Sequence, residues 1–210
     1  MWITGAERRL LDNALHLSQQ LAHWMQQAAH NGVALPALPH HYLNGDAAVY
    51  AELAHLTLLA SCANLDAGRR LSGPDWSDLP LPDALQADVS KWLTGAAPAT
   101  ETLLIHGHAH WAAAQNDGRK RRQGVYYTPP EAVHFMVRAA RTLVAETKLP
   151  VAVLDFATGS GAFLIEWARQ AAAHGETPVL LGLEQDPAAC HLARLNLQRV
   201  AESTGHQREA

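Results

Sequence analysis

Apolar residues in the first half of the chain recur at helical spacing. Leu10, Leu11, Leu15, Leu17, Leu21 and Trp24 mark a helix from about Ala6 to Ala29, and similar patterning predicts helices over about Asp46 to Arg69, Pro82 to Leu93 and Thr100 to Gln115. Proline- and aspartate-rich stretches at Leu35 to His41 and Ser72 to Pro82 interrupt them. Residues 1–118 therefore read as an alanine-rich helical domain, for which the sequence suggests no function.

The pattern then changes. Val133, Phe135, Met136, Val137, Ala140, Leu143 and Val144 give the stretch after Pro129 a broad apolar face. Thr128, Pro129 and Glu131 read as a capping box with proline at the first helical position. Val151 to Leu154 is a short apolar run that reads as a buried parallel strand; Gly159 and Gly161 make a tight turn, and Ala162 to Ala173 has helical apolar spacing. A second strand-like run, Pro178 to Leu183, ends at Glu184, and Pro187 opens another helix carrying Ala188, Leu192, Leu195 and Leu197.

Two strands that each deliver an acid beside a glycine turn describe a nucleoside pocket. Asp155 ends the first strand, and Glu184 at the tip of the second stands where a ribose diol is held. A dinucleotide site wants a third glycine three places after the second, and that place is Leu164. The pattern thus favours a cofactor with adenosine and no pyrophosphate, of which S-adenosylmethionine is the common one. The bland alternative is that the two glycines only make a turn, just as Thr128 has a bland reading as a helix cap.

At these residues the sequence resembles a known family. Gly124-Val125-Tyr126-Tyr127-Thr128-Pro129 is similar to the tyrosine-rich Thr-Pro element of adenine-specific (N6) DNA methyltransferases of restriction-modification type. Asp155 to Leu164 resembles their cofactor glycine motif, and Glu184-Gln185-Asp186-Pro187 their acidic second motif, in the gamma order and closest to the large single-chain enzymes. The resemblance covers about 119–200. It implies an α/β fold in which a helical N-terminal domain, 1–118, precedes the first part of a Rossmann-like S-adenosylmethionine-dependent methyltransferase domain, 119–210. By the same resemblance, Tyr127, Thr128 and Pro129 line the methionine end of the cofactor; Asp155, Ala157, Thr158, Gly159, Gly161 and Phe163 surround its amino acid and ribose; and Glu184 accepts from the ribose hydroxyls. Phe156 stands where the family most often has proline, and Thr158 where cysteine is also common.

The family takes its catalytic group from an Asn-Pro-Pro-Tyr-type motif, which holds a flipped base and its amino nitrogen. That motif is missing: the only adjacent prolines are Pro129-Pro130, after a threonine. No catalytic residue is assigned, and this chain alone is expected to be inactive. It is also expected to hold a truncated sheet that a second polypeptide completes, unless it is a fragment or shortened product. In the complete enzyme the implied substrate is double-stranded DNA, in a restriction-modification or related phage-defence system. Two alternatives stay open: a non-catalytic partner subunit that docks on another methyltransferase subunit, and a fragment of a protein-glutamine or RNA methyltransferase. The Tyr-Tyr-Thr-Pro element favours DNA.

Composition sets the remaining bounds. Of 210 residues, 48% are apolar and 17% charged, as in soluble globular proteins. Residues 1–118 hold 5 Lys/Arg and 11 Asp/Glu, giving −6, while 119–210 hold 11 and 9, giving +2. This excludes a general nucleic-acid sponge, although Arg119-Lys120-Arg121-Arg122 could meet phosphates as readily as form a solvated linker. No uninterrupted apolar run approaches the ~20 residues of a membrane span, and Met1 to Arg9 does not open a signal peptide, so no membrane partner is expected. Cys62 and Cys190 form no disulfide framework and suit a cytoplasmic protein. His106, His108 and His110 alternate on a predicted helix, where positions two apart face different ways, so no metal site is assigned. Trp24, Trp76, Trp92 and Trp111 are assigned to the helical core.

Overall fold

The computed structural model describes residues 4–33, 35, 47–71, 75–114, 128–145 and 151–203. The chain divides into two compact units, Ile3–Asn116 and Asp117–Ala210.

The first unit is helical. Helix α1 (Gly5–His30) starts at a capping box in which Thr4 Oγ1 accepts from the Glu7 N–H at 3.2 Å and Glu7 Oε2 accepts from the Thr4 N–H at 2.8 Å. Its buried residues Leu11, Ala14, Leu17, Ser18, Leu21, Met25 and Ala28 follow the helical repeat. Helix α2 (Ala47–Ala67) is different: every residue from Leu53 to Asn64 is buried. It packs against α1, α3 (Asp83–Ala96) and α4 (Thr100–Ala114), so it has no solvent face over that stretch. By length and composition α2 could cross a membrane, a candidate that the search for an uninterrupted apolar run did not reveal; 67% of its apolar window is buried inside the protein, as in a core helix. Gly107 of α4 permits close packing here, because a Cβ would stand 3.0 Å from Leu59 Cδ1.

Buried polar groups fix the connections. Asn64 Nδ2 donates to Asp75 at 2.6 Å, Asn64 Oδ1 accepts from the Leu71 N–H at 2.8 Å, and Ser61 Oγ accepts from the Trp76 N–H at 2.9 Å. Arg70 pairs with Asp78 across the same turn. Trp92 is buried and its indole donates to the Leu10 carbonyl at 3.1 Å, whereas Trp24, Trp76 and Trp111 are only half-buried, which corrects their assignment as core residues.

In the second unit, helix α5 (Pro130–Ala145) leads to strand β1 (Ala152–Asp155), helix α6 (Ala162–Ala172), strand β2 (Val179–Gly182) and helix α7 (Pro187–Ser203). β1 and β2 pair in parallel, with Ala152, Val153, Leu154 and Asp155 opposite Val179, Leu180, Leu181 and Gly182. The alternation of a strand sorts the side chains. Val153 and Leu180 pack toward the cluster formed by Val133, Val137, Trp167 and Ala171 of α5 and α6. On the other face Leu154, Val179 and Leu181 are each about half exposed, at 46%, 51% and 52%.

The expected broad apolar face of α5 is only partly covered. Val133 and Val137 are buried and Ala140 and Val144 pack beside them, but Phe135, Met136 and Leu143 are exposed. Helix α5 also starts at Pro130, with the Pro129 carbonyl accepting from the Val133 N–H at 3.0 Å. Thr128 therefore lies one residue outside the cap position predicted for it, and Pro130 takes the first helical place, where a missing N–H costs nothing.

Candidate functional site

The parallel pair brings the two strand ends together, and a ladder of backbone bonds carries the contact into the loops. The Leu183 N–H donates to the Asp155 carbonyl at 2.8 Å, and the Thr158 N–H donates to the Leu183 carbonyl at 3.1 Å. Asp155 also shapes its own turn, with Oδ1 accepting from the Ala157 N–H at 3.1 Å. The turn after β1 is thereby stitched to the end of β2.

The glycines serve two different needs. Gly161 has φ 95° at the N-cap of α6, and a Cβ there would lie 3.2 Å from Ala193 of α7, so it provides both the left-handed conformation and room for the neighbouring helix. Gly159 has φ 55° with nothing within 4 Å of a would-be Cβ. Its N–H donates to Glu184 Oε2 at 2.8 Å. The other oxygen, Oε1, accepts from the Asp186 N–H at 2.8 Å, and Asp186 Oδ1 in turn accepts from the Ala188 N–H at 2.9 Å, capping α7. The acid at the tip of β2 is thus held by two backbone donors, one of them in the glycine turn.

The remaining predicted residues fall on different sides of this centre. Ala157 is exposed. Thr158 is 8% exposed, with its hydroxyl donating to the Asp155 carbonyl at 3.1 Å, so it lies beneath the turn. Phe163 is half-buried against the α5–α6 cluster. Thr128 and Pro129 are half-buried at the start of α5, and Tyr127 lies outside the described residues, as does the run Arg119 to Arg122. Among the described residues no hydrogen bond ties Thr128 or Pro129 to the turn; their end of the helix is located by pairing. His134 Nδ1 is 2.7 Å from Glu166 Oε1, and Arg141 donates to Glu176 at 2.9 Å, so α5 and α6 run in the same direction. The Thr-Pro end of α5 therefore lies at the same end of the unit as the glycine turn that starts α6.

Gly182, to which the sequence pattern assigns no site role, packs against the turn. A Cβ on it would stand 2.5 Å from Thr158 Oγ1 and 3.1 Å from Leu164 Cδ1. Leu164, 1% exposed, occupies the position where a dinucleotide fold would carry its third glycine, and Gly182 on the facing strand provides the space instead. A glycine closing an otherwise apolar strand is the signal that could have exposed this close approach.

The arrangement offers a carboxylate side chain fixed by two N–H groups, an open backbone at Gly159 and a helix N-terminus behind Gly161. These are the components that hold a polyhydroxylated or partly anionic small molecule. Residues 111–203, less than half of the chain, match the family described as N-6 DNA Methylase. This match supports an adenine-N6 DNA methyltransferase relationship for that stretch. Searches of curated proteins and of solved structures gave no match.

Proposed function

We propose that residues 119–210 are the S-adenosylmethionine-binding portion of a site-specific adenine-N6 DNA methyltransferase of restriction-modification or related type. The carrying observation is Glu184 pinned against Gly159. An ionised carboxylate has about four lone-pair sites, and the two backbone N–H groups use one on each oxygen. One acceptor site remains per oxygen, which suits the two hydroxyls of a ribose. The free space over Gly159 gives the nucleoside access to the backbone.

In this reading Gly159, Gly161 and Asp155 shape the floor of the site, Glu184 holds the ribose, and Thr128 and Pro129 at the start of α5 belong to it by the family resemblance, as does Tyr127, which lies outside the described residues. Thr158 and Phe163 support the turn from below and beside it. The bound cofactor would supply an electrophilic sulfonium methyl. Without an Asn-Pro-Pro-Tyr-type motif this chain has no group to receive the adenine amino nitrogen, so the reading assigns it binding and not transfer. The exposed apolar sheet face at Leu154, Val179 and Leu181 supports a second polypeptide that completes the sheet.

Titration calorimetry of the full chain with S-adenosylmethionine tests this reading. Saturable one-to-one binding, lost in Asp155→Ala and Glu184→Ala variants that keep the parent's circular dichroism, is the expected result. Absence of binding to the parent chain, or binding unchanged in both variants, refutes it.

A further inference from the structure

The three histidines of α4 part to two sides of the helix. His106 and His110 turn toward α1: Glu7 acts on His106, and Asp12 Oδ1 lies 2.9 Å from His110 Nε2. His108 turns toward α2, where Glu52 places a carboxylate oxygen within 4.8 Å of its ring nitrogen. Its ring stacks on Trp111 at 5.6 Å and lies 6.5 Å from His55. Each histidine on α4 thus has a carboxylate in its vicinity.

His55 of α2 is placed differently. It is 2% exposed and stacks on Trp111 at 5.6 Å, with the rings 15° from parallel. Ser18 Oγ gives its only proton to the Ala14 carbonyl at 2.6 Å, so its 3.2 Å contact with His55 Nδ1 requires the ring N–H to donate. In the neutral ring that leaves a bare lone pair at the buried Nε2, an atom with no hydrogen-bond partner among the described residues. From α1 the ring meets the uncharged Ser18. From α4 it meets His108, His110 and the Gly107 carbonyl, of which only the carbonyl favours a charged ring. The groups that shift this ring include no carboxylate, and Glu52 on the same helix lies beside His108.

We propose that His55 makes the junction of α1, α2 and α4 an acid-sensitive latch: a proton added to this ring releases α4 from the other two helices. The neutral ring joins α1 through Ser18 and α4 through Trp111 and His108; a charged ring is disfavoured there by burial and by the neighbouring His108 and His110, which outweigh the Gly107 carbonyl. Burial, reinforced by His108 and His110, holds the folded His55 down to about 3, whereas a released ring accepts a proton near the ordinary 6.5. Opening at this ring therefore becomes about tenfold more favourable for each pH unit below the ordinary value.

Amide hydrogen exchange on the full chain at about pH 6.5 and about pH 4.5, corrected for intrinsic rates, tests the latch. His55→Gln retains a donor for Ser18 and removes the titrating ring. The expected result is that protection of the α4 amides falls roughly 50-fold more in the parent than in His55→Gln, the difference set by one proton over two pH units that begin where the released ring is already half charged. Equal losses in the two proteins overturn the proposal. The His55 ring proton, followed by NMR in the parent alone, provides a measurement that does not depend on the variant folding. Titration of that ring near 6.5 while α4 stays protected also overturns it.

Discussion

Gly182 and Thr158 approach so closely across the strand ends that a Cβ at 182 would lie 2.5 Å from the threonine hydroxyl. Thr158 has little freedom to yield, because its N–H is bonded to Leu183 and its hydroxyl to Asp155. Gly182→Ala is therefore expected to push the whole turn away from β2. Denaturant unfolding should show a loss of about 1–3 kcal/mol, the usual range for an overpacked site.

Gly159→Ala should behave differently. No atom meets the added carbon, and the cost is the left-handed φ of 55°, about 1–2 kcal/mol. The methyl group would stand in the open space assigned to the nucleoside. Calorimetry should thus record a loss of S-adenosylmethionine affinity larger than the stability change accounts for; an affinity equal to the parent's would remove Gly159 from the site.

At the core of the helical unit, Gly107→Ala brings a methyl to 3.0 Å from Leu59, which is itself fully buried. Alanine in a helix gains up to about 1 kcal/mol over glycine, but overpacking a filled core costs about 1–3 kcal/mol. Net destabilisation is expected, measured as a lower thermal midpoint. Gly95, with open space around it in α3, should instead gain stability on the same change.

Acid should weaken the helical unit. His106 is held down to about 4 by burial and His55 to about 3, so the unfolded chain binds protons below its ordinary value of 6.5 while the folded chain does not. Both contributions are complete above 6.5 and are lost as the pH falls from there toward 4 and 3. Glu7 adds a loss of the same sign in the carboxylate range, since its bonds from Thr102 and Thr4 lower its proton affinity. Urea midpoints measured from pH 7.5 to 4.5 should decline below about 6.5, with a slope approaching 1.4 kcal/mol per unit for each buried ring.

The exposed sheet face is expected to drive self-association. Leu154 and Leu181 face each other in register and are each about half exposed. Replacing both by lysine should lower light scattering on concentration without lowering the melting temperature by more than a few degrees. A large fall in melting temperature would mean that this face is already packed.

Much of the molecule was legible from local pattern. Helical spacing located α1 to within a residue or so at each end, and the apolar runs ending in Asp155 and Glu184 marked both strands, because these signals depend only on near neighbours. The sidedness of α5 was not legible. Phe135, Met136 and Leu143 are as apolar as Val133 and Val137, and only the position of Trp167 decides which set is buried. The burial of α2 on all sides was hidden for the same reason, since three separate helices must surround it.

Residue identity and short-range pattern were enough to read the tight glycine turn, the acids that flank it and the absence of a catalytic Asn-Pro-Pro-Tyr-type motif from the sequence alone. Tertiary structure decided that Glu184 reaches back to the Gly159 N–H, that Gly182 makes room for Thr158, and that His55 meets Ser18, His108 and Trp111. Each of these contacts joins positions more than 20 residues apart. A parallel crossover or a helix packing sets their distance, and no local propensity encodes it.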